Sequence, residues 1–340
     1  MKRVPVEDSV GLVLGHDLTR IVPGREKGPA FRRGQVIRLE DVPLLRDMGK
    51  EHVYVGEPVA GEVHEDEAAV RLARAVAGKG VELAGPREGR VNLVAVGEGL
   101  LRVRVAALHR LNGLGQLVVA TLPGDRLVKG GEVVAGVRVL PLAVREEHLR
   151  RAERLGEGAG GLVEVESLPR RRVGVVVTGS EVYRGRIPDG FGPVVRGKVE
   201  ALGSEVMGEL RVPDDPAELA AAIRLLVAGG AELVVCTGGM SVDPDDRTPA
   251  GIRLAGAEVV VQGVPVLPGA MFMLAYLGRI AVVGLPGCAM YDRVTVFDLV
   301  LPRLLLGERL GRRYFARLGY GGLCRHCAEC SYPACSFGLG

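Results

Sequence analysis

Residues 236–246 read Cys-Thr-Gly-Gly-Met-Ser-Val-Asp-Pro-Asp-Asp. The apolar run Leu233-Val234-Val235-Cys236 stops abruptly at Thr237-Gly238-Gly239. A continuous β-branched run predicts a buried parallel strand, and the carboxyl end of such a strand is where open α/β sheets receive ligands. Adjacent glycines let the backbone approach a bulky ligand without a Cβ in the way. The hydroxyls of Thr237 and Ser241, with the nearby amides, are suited to an anion. Asp243, Asp245 and Asp246 follow at once. Crowded carboxylates repel one another unless a cation or a proton lies between them. Asp243 and Asp246 are therefore candidate ligands of Mg2+. Together these residues predict a phosphorylated ligand handled with magnesium, against the plainer alternative of a solvated turn.

A second constellation is Cys324-x2-Cys327-x2-Cys330-x4-Cys335. This spacing suits an iron–sulfur cluster or zinc, with a flexible thiol tail as the alternative. The remaining cysteines, Cys236 and Cys288, are far away in sequence. That pattern is not a secreted disulfide framework. Met1-Lys2-Arg3 runs into Val4-Pro5-Val6-Glu7 with no apolar leader. We therefore expect a cytoplasmic protein with no membrane span. A net charge of +3 and 4% aromatic residues argue against nucleic acid as a partner.

The elements that must hold these residues fall into three stretches. Residues 1–166 are expected to be β-rich and mixed, with a division near residue 60. Val10–Leu14 and Gln35–Arg38 read as strands there, 68–77 and 146–155 as helices, and the glycine-rich run 156–161 as a linker. Residues 167–312 alternate strands with helices, which predicts an α/β domain: a mostly parallel sheet covered on both faces, three layers in all. Its strands end at 178, 236 and 284, so the following loops converge on one edge. A long helix is expected from Met290 to about Leu306. Residues 313–340 form a short Cys-rich tail.

Five motifs in register resemble a known family. They are Thr178-Gly179-Ser180-Glu181, Ile187-Pro188-Asp189, Val212-Pro213-Asp214-Asp215-Pro216, Thr237-Gly238-Gly239-Met240-Ser241 and Gly284-Leu285-Pro286-Gly287. Their order and spacing resemble the molybdopterin-binding domain shared by molybdopterin molybdenumtransferases and adenylyltransferases. The resemblance implies that Thr178, Gly179, Glu181, Thr237, Gly238, Gly239, Ser241, Pro286 and Gly287 contact molybdopterin or its adenylylated form. It implies catalytic or metal-linked roles for Asp189, Asp214 and Asp246; Asp215 reads better as a helix cap. Implied partners are molybdopterin, molybdate, other cofactor-synthesis proteins or a molybdoenzyme, and a second copy of the chain. Where the molybdenumtransferases carry Lys-Pro-Gly-Lys, this chain has Leu267-Pro268-Gly269-Ala270. Arg184, Arg186 and Arg196 are candidate replacement cations. Insertion of molybdate is the first expectation; a non-catalytic carrier or redox-linked regulator, or an adenylyltransferase, are the alternatives.

Overall fold

The computed structural model describes residues 1–22, 24, 26–241 and 246–339. They form two compact units, one of residues 1–123 and 128–166, the other of 124–127 and 167–340.

The first unit holds two hydrophobic cores. The smaller gathers Val4, Leu14, Phe31, Ile37, Leu45 and Val53. Val10–Leu14 and Gln35–Arg38 are not strands there; they meet through the single bridge Val13↔Val36. Gly11 at φ +80° turns the chain between the apolar residues, so no ladder extends. The larger core lies between an antiparallel four-stranded sheet and the helices Glu65–Val76 and Glu146–Glu157. A helix at Val105–Asn112, unforeseen in sequence, also packs into it. Residues 156–161 are not a free linker. Gly156 is buried in the last turn of its helix, and a Cβ there would lie 2.4 Å from the Ala75 carbonyl oxygen. Glycine lets the two helices touch backbone to backbone. Arg71 ties them, with Nη1 2.8 Å from Glu146 and Nε 2.8 Å from Glu153.

The second unit contains the candidate site. Its elements are β1 (Arg172–Thr178), α1 (Ser180–Tyr183), α2 (Phe191–Ala201), β2 (Glu205–Val212), α3 (Pro216–Ala228), β3 (Leu233–Thr237) and α4 (Thr248–Leu254). They continue with β4 (Glu258–Gln262), β5 (Met273–Leu277), β6 (Ile280–Leu285), α5 (Cys288–Tyr291), α6 (Val296–Leu305) and α7 (Arg312–Arg317). The sheet runs β2-β1-β3-β6-β5-β4. β2, β1, β3 and β6 are parallel; β5 is antiparallel to its neighbours β6 and β4. Strand alternation sends Val173, Val175 and Val177 into one core with Val195 of α2 and Val300 of α6. Val176, Val234 and Cys236 point into another, with Ile223 of α3 and Ile252 of α4. A sheet with helices on both faces is the α/β three-layer arrangement expected.

The helix expected over 290–306 is two helices, α5 and α6. Thr295 separates them: its hydroxyl accepts from the Phe297 amide, while Asp298 accepts from the Thr295 amide. This reciprocal cap starts a new helix instead of continuing an old one. Phe337, near the end of the chain, is buried in the α2–α6 core.

Candidate functional site

β1, β3 and β6 are neighbours in register, with Val177 opposite Thr237 and Thr237 opposite Leu285. Their carboxyl ends therefore deliver the Thr178, Gly238 and Pro286 loops to one edge. Asp215 caps α3 by accepting from the amides of Ala217 and Glu218 at 2.8 and 3.0 Å. That cap leaves its neighbour Asp214 facing the other way, where Asp214 Oδ2 accepts from the Ser180 amide at 2.8 Å. The β2–α3 loop is thus fastened to the start of α1.

Gly238 and Gly239 both have positive φ, +81° and +53°. A Cβ on Gly238 would lie 2.6 Å from the Thr178 carbonyl oxygen, and one on Gly239 2.8 Å from Thr248 Oγ1. The paired glycines therefore serve close packing between loops as well as backbone shape. Thr178 Oγ1 donates to the Thr237 carbonyl at 2.8 Å and lies 3.1 Å from Thr248 Oγ1. Thr248, buried beside this hydroxyl, is a site residue that sequence reasoning missed. In the sequence, Thr248-Pro249 reads only as the opening of a short helix to Leu254.

The hydroxyl of Thr237 points inward. Thr237 is wholly buried and its Oγ1 has no hydrogen-bond partner. At this edge Ser241 is exposed and Gly238 and Gly239 are half-buried, so these residues are the ones open to a ligand. Gly287 and Glu181 are exposed, Gly179 is half-buried and Pro286 is buried. Asp246 is half-buried; Asp243 lies outside the described residues.

Asp189 is held differently. Its Oδ1 accepts from the Phe191 and Gly192 amides at 2.8 and 3.0 Å, capping α2. Its Oδ2 is buried without a hydrogen-bond partner, and Arg211 Nη2 stands 3.8 Å away. A Cβ on Gly192 would meet both Asp189 Oδ2 and Glu209 Oε2, at 2.5 and 2.8 Å. Arg196 is engaged by Glu200 and Glu209 at 3.6 and 3.4 Å, whereas Arg184 and Arg186 are exposed.

Burial pushes the Cys236 thiol well above its ordinary pKa and raises that of Cys288, so both stay protonated near neutrality. Neither is a nucleophile as placed. Among the described residues, no group of three or more His, Cys, Asp or Glu side chains is arranged to hold a metal ion. Nor is any described helix long and apolar enough to cross a membrane.

Residues 174–306 match the family described as "probable molybdopterin binding domain", and residues 3–57 match a domain of unknown function. A CinA-like protein of Mycobacterium sp. (strain MCS) is 38% identical over 91 residues, covering 26% of this chain and 22% of the relative. The molybdopterin molybdenumtransferase of Synechococcus elongatus is 27% identical over 193 residues, covering 54% of this chain and 45% of the relative. The chain thus spans less than half the length of these curated relatives. Among solved structures, the molybdopterin biosynthesis enzyme MoaB of Thermus thermophilus has 23% identity and a TM-score of 0.34, covering 41% of this chain and 98% of that one. CinA of Thermoplasma acidophilum has 18% identity and a TM-score of 0.36, covering 40% and 98%. Residues 174–306 of this chain are a domain of the molybdopterin-binding family.

Proposed function

We propose that this domain binds molybdopterin, or its adenylylated form, across the edge where β1, β3 and β6 end. The observation that carries the reading is the fastening of the Thr178, Asp214 and Gly238 loops to one another by the Ser180–Asp214 and Thr178–Thr237 hydrogen bonds. A rigid edge with half-buried glycine amides suits a phosphate. The reaction this site supports best is insertion of molybdate into adenylylated molybdopterin with release of AMP. Mg2+ would neutralise the phosphate there, with Asp246 and Asp243 as its carboxylate ligands. The whole chain then acts as a transferase of molybdenum cofactor biosynthesis.

A second reading, a non-catalytic carrier or redox-linked regulator, is favoured by one observation. Leu267 and Ala270 stand where the molybdenumtransferases that the chain resembles have lysines, and lost cations at an anion-handling site weaken charge stabilisation. An adenylyltransferase is a third reading. Incubating the chain with adenylylated molybdopterin, molybdate and Mg2+ separates them. AMP release supports insertion. Tight binding without AMP supports the carrier. ATP consumption with unmodified molybdopterin supports the adenylyltransferase. If calorimetry detects no association with either form of the pterin, the proposal fails.

A further inference from the structure

The four cysteines near the end of the chain have no part in the pterin edge. Cys324, Cys327, Cys330 and Cys335 are all free thiols, and all four line one cavity of about 240 Å3. Two of them stand on firm ground. Cys324 and Cys335 pack against the α2–α6 core. The Cys324 amide donates to the Leu267 carbonyl, and the Leu267 amide donates to the Gly322 carbonyl, both at 2.8 Å. Cys327 and Cys330 ride on a loop, 325–331, in which every residue is exposed. Such a run buries no apolar side chain to offset the entropy of ordering it. Residues 291–294, at and just after the end of α5, also line the cavity. His326 Nδ1 of the loop stands 3.4 Å from Asp292 Oδ1.

We propose that this cavity is a thiolate-ligated metal centre, for Zn2+ or an iron–sulfur cluster, and that its occupancy braces residues 291–294. Soft sulfur donors at x2, x2 and x4 spacing around a void select thiophilic metals. As placed, no three donors among the described residues are close enough to share one ion. Closure therefore moves the exposed loop 325–331 inward while Cys324 and Cys335 stay anchored. Metal binding and ordering of the loop are then one event, and the free energy of the first supplies the second. Each thiol loses its proton to solvent as its sulfur binds. The metal arrives as Zn2+ or as a preformed cluster, so no electron is transferred.

The test uses the full chain, purified without oxygen and then offered Zn2+ or, separately, a preformed iron–sulfur cluster carried by a small thiol, which its cysteine thiolates would displace. Zinc bound without colour identifies a zinc site. Iron with acid-labile sulfide and a broad visible band identifies a cluster. The double variant C327S/C330S, which alters only exposed side chains, should bind the metal more weakly by roughly tenfold or more. Loading should slow amide hydrogen exchange at 291–294 relative to chelator-stripped protein. A chain that stays metal-free under both conditions overturns the centre, as does a double variant that binds as tightly as the parent. Unchanged exchange at 291–294 overturns the brace. None of these readouts needs the pterin, so they stand or fall apart from the proposed function.

Discussion

The hydroxyl of Thr178 donates to the carbonyl of Thr237 across 2.8 Å, joining the ends of two parallel strands at the edge that carries the candidate site. With its proton committed there, the Thr178 oxygen can only accept from Thr248, 3.1 Å away. One side chain thereby positions three loops. Thr178→Val keeps the shape and removes both bonds, leaving a buried carbonyl without its partner. The expected cost is about 1–3 kcal/mol of stability, read from the denaturant midpoint. Molybdopterin affinity should fall with it. An unchanged midpoint would show that the hydroxyl is not what fastens the edge.

Gly238 separates the cost of backbone shape from the cost of space. Gly278 has φ +61° with nothing within 4 Å of an added Cβ. Gly238 has φ +81°, and a Cβ added there would lie 2.6 Å from the Thr178 carbonyl oxygen. Gly278→Ala should cost about 1–2 kcal/mol, the left-handed backbone penalty alone. Gly238→Ala should cost more, because a rigid main-chain carbonyl must move. It should also weaken pterin binding, while Gly278→Ala leaves it intact. Thermal unfolding and calorimetric titration of the two variants check this.

The Arg71 clamp in the first unit predicts a response to acid. Hydrogen bonds from Arg71, then from Arg150, hold the Glu146 carboxyl down to about 2 from an ordinary 4.5. The unfolded chain takes up the proton first. The contribution is therefore present above about pH 4.5 and is lost as pH falls toward 2. Arg71→Ala should destabilise the unit by about 1–2 kcal/mol at neutral pH, after allowing for solvent screening of these partly exposed groups. The difference from the parent should shrink toward pH 2. Arg71→Lys should rescue little, since one ammonium cannot span two carboxylates as the guanidinium fork does.

Glu65 predicts the opposite slope. It is 7% exposed, and burial, helped by neighbouring Asp66, raises its carboxyl to about 7. Between about pH 4.5 and 7 the unfolded chain has lost this proton while the folded chain keeps it. Its contribution is thus full below pH 4.5 and declines as pH rises through 7, by up to ~3 kcal/mol. Glu65→Gln should flatten this decline and stabilise the protein at pH 8. Denaturant midpoints at pH 5 and pH 8 decide the matter; equal pH dependence in both proteins would refute it.

The sequence alone determined the α/β sheet and the edge of the site. Leu233–Cys236 is apolar without interruption, and such a strand is stable only when covered on both faces. Its abrupt Thr-Gly-Gly end therefore suggested a ligand edge, and five motifs in register carried the resemblance to a family. Local pattern could not show where chains meet. Gly156 read as a linker because its contact with the Ala75 carbonyl joins residues far apart in sequence. Thr248 reads as a helix start because its partner, Thr178, ends a strand 70 residues earlier in the chain. Asp189 read as a site acid, and only the fold shows one oxygen capping a helix and the other buried beside Arg211. The cysteines announced a soft-metal site by spacing, but tertiary packing decided that two are anchored on the core and two ride a loop. Spacing along the chain sets what a segment can form; burial and contacts between distant segments set which of its groups remain free to act.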